Sequence, residues 1–251
     1  MNFTFLGTGS AFTNENYQSN AVIEVNGKKL LIDAGGDIRR SLKAAGVNLW
    51  DLDGIYVTHL HSDHWGGAEF LAYGSFFNPM FVVNGQRRRL KLYAHPSVRE
   101  GLWNSMNDST VLPNKSATLN DYFDVQEFDA DSFQWEGVQF DMVKTVHCLD
   151  DSDPMPCFGL TWVTESGKRV WFSADAVLDR DQQLFTTADV IFHDCETGFE
   201  TGVHAHYNEL LTLPAAVRAK ITNYHYNDGP KADCKSAGFA GWAVQGEKIA
   251  L

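Results

Sequence analysis

The chain has 251 residues, 44% hydrophobic and 21% charged, with a formal net charge of −12 at pH 7. That length fits one domain, residues 1–251, with a core large enough to stand without disulfides. The apolar share argues against disorder, and the acidic balance works against a long nucleic-acid partner, since such binders carry a basic face. Cys148, Cys157, Cys195 and Cys234 show no C-x-x-C pairing, so a reducing compartment fits better than a disulfide framework. No basic and apolar leader opens at Met1, and no run approaches about 18 apolar residues. The reading is a cytoplasmic protein without a membrane partner.

Asn2 to Leu6 reads as a strand ending in Gly7-Thr8-Gly9-Ser10, glycine-punctuated but too unspecific for a phosphate cradle. Ala21 to Val25 and Lys29 to Ile32 flank Asn26-Gly27, the favoured pair for a two-residue hairpin turn. Asp37 to Ala45 has Ile38, Leu42 and Ala45 at helical spacing with Gly46 behind it, a short amphipathic helix with a glycine stop. Ile55-Tyr56-Val57 is a buried strand, followed by a helix from Trp65. Arg87 to Lys91, after Asn84-Gly85, reads as an exposed hairpin arm. Leu90 to Ala94 is a strand, Pro96 to Met106 a helix, and His95 a structural residue. Asp108 to Asp121 reads as a loop, long enough to consider as a lid. Further strands are expected at 122–125, 138–146, 158–163, 169–172, 189–192 and 221–224, with helices near 180–186 and 207–213. No internal repeat is visible.

The chemistry concentrates at Thr58-His59-Leu60-His61-Ser62-Asp63-His64. His59 and His61, two apart on extended chain, leave the same face and can converge on one ion. Asp63 and His64, where strand gives way to helix, point elsewhere, toward a second ion. Later apolar runs deliver Val146-His147, Ser173-Ala174-Asp175 and Tyr224-His225 to strand ends, where rigid scaffolds hold catalytic groups.

This H-x-H-x-D-H pattern and the ordered series behind it resemble the metallo-β-lactamase superfamily over about residues 2 to 226. The resemblance implies an α/β fold, a four-layer αβ/βα sandwich with the site at one edge of two facing sheets. It also implies that His59, His61 and His147 hold one ion, that Asp63, His64 and His225 hold another, and that Asp175 bridges them. Nitrogen and oxygen donors suit two zinc ions per chain, with manganese or iron compatible. Such a pair supplies a nucleophile near neutral pH and clamps the attacking and leaving oxygens at phosphorus. Asp63 is therefore counted with the catalytic residues.

His193-Asp194-Cys195-Glu196 resembles the HEAT motif of tRNase Z-like enzymes, with Asp194 where that family has glutamate. Val203-His204-Ala205-His206-Tyr207 lies where those enzymes place a histidine that protonates the leaving oxygen. His204, oriented by Asp194, is the expected donor, with His206 the alternative two residues on. Between His147 and Phe158 stand Asp150, Asp151 and Asp153 without a cation, where several tRNase Z enzymes carry a basic arm for tRNA. The whole pattern looks like the superfamily's cyclic nucleotide phosphodiesterases, specifically the phage-encoded anti-Pycsar enzymes. This implies a small cyclic nucleotide substrate, its base stacked on Tyr73, Phe76 or Phe77. It also implies a homodimer, with Arg87 to Lys91 reaching the neighbour's pocket. The alternatives are a tRNase Z-like RNA-processing enzyme, a thioester or lactone hydrolase, and a protein that sequesters nucleotides without cutting them.

Overall fold

The computed structural model describes residues 1–106, 117–128, 131–148 and 155–251. Most of the segment expected as a lid, and the aspartates at 150, 151 and 153, lie outside the described residues.

Two seven-stranded sheets carry the fold. The first runs Lys248–Ala250, Asn2–Gly7, Asn20–Val25, Lys28–Ile32, Gly54–Val57, Leu90–Ala94, Phe123–Val125. The second runs Gly241–Trp242, Ile221–Tyr224, Val190–Asp194, Arg169–Phe172, Cys157–Val163, Val138–Thr145, Ser132–Trp135. In each, three antiparallel pairings pass into three parallel ones. The halves thus repeat in topology although no repeat is visible in sequence. Asn26-Gly27 and Asn84-Gly85 both take positive φ, 50° and 76°, then 51° and 78°, as tight hairpin turns require. Asn84-Gly85 joins Val82–Val83 to Gln86–Arg87, so of the arm expected at Arg87 to Lys91 only Arg87 lies in the hairpin, while Leu90 and Lys91 belong to the strand Leu90–Ala94 and Leu90 is buried.

The sheets face one another across an aromatic core. Phe3 of the first stacks on Phe192 of the second with ring centroids 4.4 Å apart, and Tyr56 lies 5.5 Å from Phe133. Strands buried on both faces read as continuous apolar runs, and Gly54–Val57 is buried throughout. Ile38 and Leu42, Leu71, Val98 and Leu102, from the helices Ile38–Ala44, Ala68–Phe77 and Pro96–Met106, join this core from outside the first sheet. A second cluster, with Trp171, Phe185, Ile191, Leu210, Val217 and Ile221, seats short helical turns on the outside of the second sheet. The result is the four-layer αβ/βα sandwich.

Some expected elements differ. The helix placed from Trp65 is a turn, Ser62–Trp65, then Ala68–Phe77, because Gly66-Gly67 lets the chain bend where it meets other backbone. His95 is structural as expected: its ring stacks on Phe158 with centroids 3.8 Å apart and its Nε2 lies 3.0 Å from Asp131 Oδ1.

Candidate metal centre

The expected ligands lie at the ends of central strands on one edge of the sandwich. Gly54–Val57 leads into Thr58 to His64, Val138–Thr145 into His147, Arg169–Phe172 into Asp175, and Ile221–Tyr224 into His225. Three of these strand ends are sharp. Cys148, Ala174 and His225 take φ of 64°, 54° and 62°, left-handed conformations that cost non-glycine residues of order 1–3 kcal/mol each and cluster at functional sites.

The structure brings the ligands into two groups sharing Asp175: His59, His61, His147 and Asp175, then Asp63, His64, Asp175 and His225, each with donor atoms within 4.8 Å of one another. In the first, His61 Nδ1 lies 3.1 Å from His59 Nε2 and 3.0 Å from His147 Nε2. In the second, Asp63 Oδ2 is 3.3 Å from Nε2 of both His64 and His225. Asp175 Oδ2 reaches both, 3.7 Å from His59 Nε2 and 3.2 Å from His64 Nε2.

Tautomers are set from behind. Asp33, at the end of Lys28–Ile32, accepts from the Thr58 N–H at 2.9 Å and hydroxyl at 2.8 Å, and from His64 Nδ1 at 2.8 Å. With its one proton given to Asp33, the Thr58 hydroxyl accepts from His59 Nδ1 at 2.9 Å. One buried carboxylate therefore turns Nε2 of both His59 and His64 toward the cluster, the outer support that orients ligands and raises their basicity. His147 Nδ1 donates to the Val203 carbonyl at 2.8 Å, with the same consequence. Gly35 makes the approach possible: a Cβ there would stand 2.3 Å from the Asp63 carbonyl oxygen.

The donor set fits two divalent cations. Asp175 Oδ1 is buried with no hydrogen-bond partner among the described residues, a costly arrangement for a polar atom unless something else satisfies it. Burial pushes the pKa of His59, His61 and His147 down, favouring the neutral ring that a metal needs. Burial also disfavours charge on His64, but Asp175, Asp63 and Asp33 outweigh it and hold its pKa well up. A cation there would displace a proton.

Asp194 and His204 adjoin this centre. His204 Nδ1 donates to Asp194 Oδ2 at 2.8 Å and its ring lies 4.6 Å from that of His225. Burial would lower its pKa, but the bond to Asp194 and the charge of Asp175 raise it to about 9. His206 is elsewhere engaged: its Nδ1 accepts from the Asn208 N–H at 3.2 Å, capping Tyr207–Leu210, and its Nε2 donates to the Gly198 carbonyl at 3.2 Å. Both ring nitrogens of His206 are thus engaged in holding the start of Tyr207–Leu210.

A cleft of about 260 Å³ opens beside the centre, lined by Ser10, Phe12, Glu196, Phe199, His204 and His225 among others. Tyr73, Phe76 and Phe77 do not line it; Tyr73 and Phe76 pack against Tyr122, with centroids 6.0 and 5.6 Å away. Arg87, Arg88 and Arg89 are also remote. They donate to carbonyls of Ser75, Leu52 and Asn120, and Leu52 precedes Gly54–Val57, at the end of that strand opposite the candidate ligands.

The family model described as Anti-Pycsar protein Apyc1 matches residues 1–249. The chain is 33% identical over 266 residues to an anti-Pycsar protein Apyc1 of Bacillus phage 010DV004, covering 100% of this chain and 98% of that one. The chain belongs to the Apyc1 family. Among solved structures, the metallo-β-lactamase-fold protein YhfI from Bacillus subtilis superposes with a TM-score of 0.72 at 17% identity, over 99% of each chain. Zinc-bound PqqB from Methylobacterium extorquens does so with a TM-score of 0.71 at 19% identity, over 100% of each. At such identities these two establish the fold. Among the described residues of this Apyc1-family chain, no helix is long and apolar enough to cross a membrane.

Sequence reasoning misses Asp33, Phe12 and Phe199. Asp33 carries a weak signal, a lone carboxylate ending a strand, but its bonds to Thr58 and His64 span 25 and 31 residues.

Proposed function

We propose that the chain is a two-metal phosphodiesterase that opens 3′,5′-cyclic mononucleotides to nucleoside monophosphates. The observation that carries this reading is the Asp194–His204 pair beside two ligand groups joined at Asp175. Two divalent ions, zinc by donor type with manganese compatible, would supply a nucleophile at neutral pH and neutralise the phosphate. His59, His61 and His147 would hold one, Asp63, His64 and His225 the other, and Asp175 both.

The remaining work falls to the chain's own groups. His204, with Nδ1 held by Asp194, has Nε2 left to protonate the ester oxygen as its bond to phosphorus breaks. The ionised Asp194 stabilises the imidazolium before transfer and fixes its aim. Membership of the Apyc1 family supports a cyclic mononucleotide, and so does the charge: the Arg87–Arg89 cluster lies at the far end of the sheet, where it cannot guide an RNA backbone to the centre. Metal-loaded protein should therefore turn over a panel of purine and pyrimidine cyclic nucleotides many times per chain. Depletion that stops at one equivalent would instead identify a sequestering protein.

A further inference from the structure

Two phenylalanines stand almost fully in water beside the metal centre: Phe12 is 92% and Phe199 93% exposed. A single exposed apolar side chain needs no explanation. These two, however, line one cleft together with His204 and His225, and the loops that carry them are pinned by adjacent residues. Asn227 Oδ1 accepts the N–H groups of Thr197 and Gly198, both at 2.9 Å, and Glu196 Oε2 accepts that of Thr201 at 2.9 Å. The turn bearing Phe199 is thereby closed from both sides. The Asp228 carboxylate accepts from the Thr13 hydroxyl, from the Glu15 N–H at 3.1 Å and from the Asn16 amide at 3.2 Å, which fixes the turn bearing Phe12. Asn227 and Asp228 follow ligand His225 by two and three residues, so the two rings are referenced to the metal centre through a few bonds of chain.

We infer that Phe12 and Phe199 form the stacking wall for the substrate's nucleobase, an inference that rests on the cyclic nucleotide reading above. Loops ordered in advance lose little freedom when a ligand docks. A base stacking on an aromatic ring is held by its π-face, whichever base it is, so this wall would admit purines and pyrimidines alike. Asn227 and Asp228 are the positioning residues of the wall.

The test separates recognition of the ring from the chemistry. Phe12→Ala and Phe199→Ala should each raise KM for cyclic AMP and cyclic UMP by roughly 5- to 150-fold, the worth of one stacking contact, with kcat within about twofold of wild type. Phe12→Tyr should restore KM. An abasic sugar 3′,5′-cyclic phosphate should be cut with the same KM by all of them. Calorimetry on metal-loaded protein gives a readout without turnover: wild type should prefer AMP and UMP over ribose 5-phosphate, and the alanine variants should lose that preference. If wild type cuts no cyclic nucleotide yet keeps the preference, the proposed reaction falls and the wall stands. Alanine variants that match wild type in both KM and affinity would overturn the wall, as would variants that change only self-association.

Discussion

His204 donates to Asp194 at 2.8 Å, and both side chains adjoin the shared carboxylate Asp175, with His204 Nδ1 3.8 Å from Asp175 Oδ2. The proposed proton donor is therefore coupled to the candidate centre: it is not one of the seven expected ligands, but with Asp194 it forms a third donor group that shares Asp175 and His225. His204→Ala should retain both ions while kcat falls about 10²–10⁴-fold, the usual worth of a positioned general acid. His206→Ala should leave kcat near wild type and cost about 1 kcal/mol of stability through the lost cap. Metal analysis alongside single-turnover rates checks both, and an inactive His206→Ala with an active His204→Ala would reverse the assignment.

Asp33 offers a second test, because it reaches one ligand of each group. Asp33→Ala leaves the Thr58 N–H without its acceptor and frees the His59 and His64 rings to rotate. Loss of such outer support weakens metal affinity by about 10–100-fold, here at both ions. Competition with a chelator of known affinity should show both binding steps shifted in Asp33→Ala. A shift confined to one step would break the link drawn through the Thr58 hydroxyl.

Removing the ligands themselves bears on stoichiometry. Protein folded in the presence of zinc should carry close to two ions per chain, and changing His59 and His61 together to alanine should empty at least one site. Ions that bind only the folded state raise Tm, so chelation should lower it in wild type more than in the double variant. Fully folded, unchelated protein with metal content near zero would end the two-metal reading.

Much of the first sheet is legible in the sequence because its strands are long apolar runs punctuated by Asn-Gly, where propensity and burial agree. Ser132–Trp135, Gly241–Trp242 and Lys248–Ala250 escape it. They span two to four residues, too few to show a period, and exist because a neighbouring strand offers them hydrogen bonds. The candidate ligands stand out for a different reason: four of them sit within six residues, and the rest follow apolar runs. Phe12 and Phe199 lie alone in polar turns, where no pattern distinguishes a ring exposed for use from one exposed by chance.

The Asp228 clamp carries a pH dependence whose sign is fixed. Burial slightly opposes its charge, but bonds from Thr13, Asn14, Glu15 and Asn16 outweigh this and hold the carboxyl below its usual pKa. A carboxyl depressed in the folded state contributes stability that is present above its unfolded pKa and lost as pH falls through the folded one. Metal-free Asp228→Asn should therefore melt roughly 2–4 °C below wild type at neutral pH. The gap should narrow only below about pH 4, the ordinary carboxylate range. A gap constant between pH 7 and pH 2.5 would show that ionisation of Asp228 is not what holds the Phe12 turn.

Substrate size can be read from salt. A protein that grips RNA neutralises several phosphates and releases their counterions, so its affinity falls steeply as salt rises. Here the net charge is −12, and the guanidinium groups of Arg87, Arg88 and Arg89 are spent on the carbonyls of Ser75, Leu52 and Asn120. A cyclic mononucleotide brings a single phosphate charge, which two cations at the centre would neutralise locally. Between low and physiological salt, kcat/KM for cyclic nucleotides should change only about two- to threefold, against the roughly 10³-fold loss expected of a protein making several phosphate contacts. Pre-tRNA should be cleaved poorly throughout. Efficient, salt-sensitive 3′ processing of pre-tRNA with inert cyclic nucleotides would move the chain to the RNA-processing reading and would leave the metal ligands where they are.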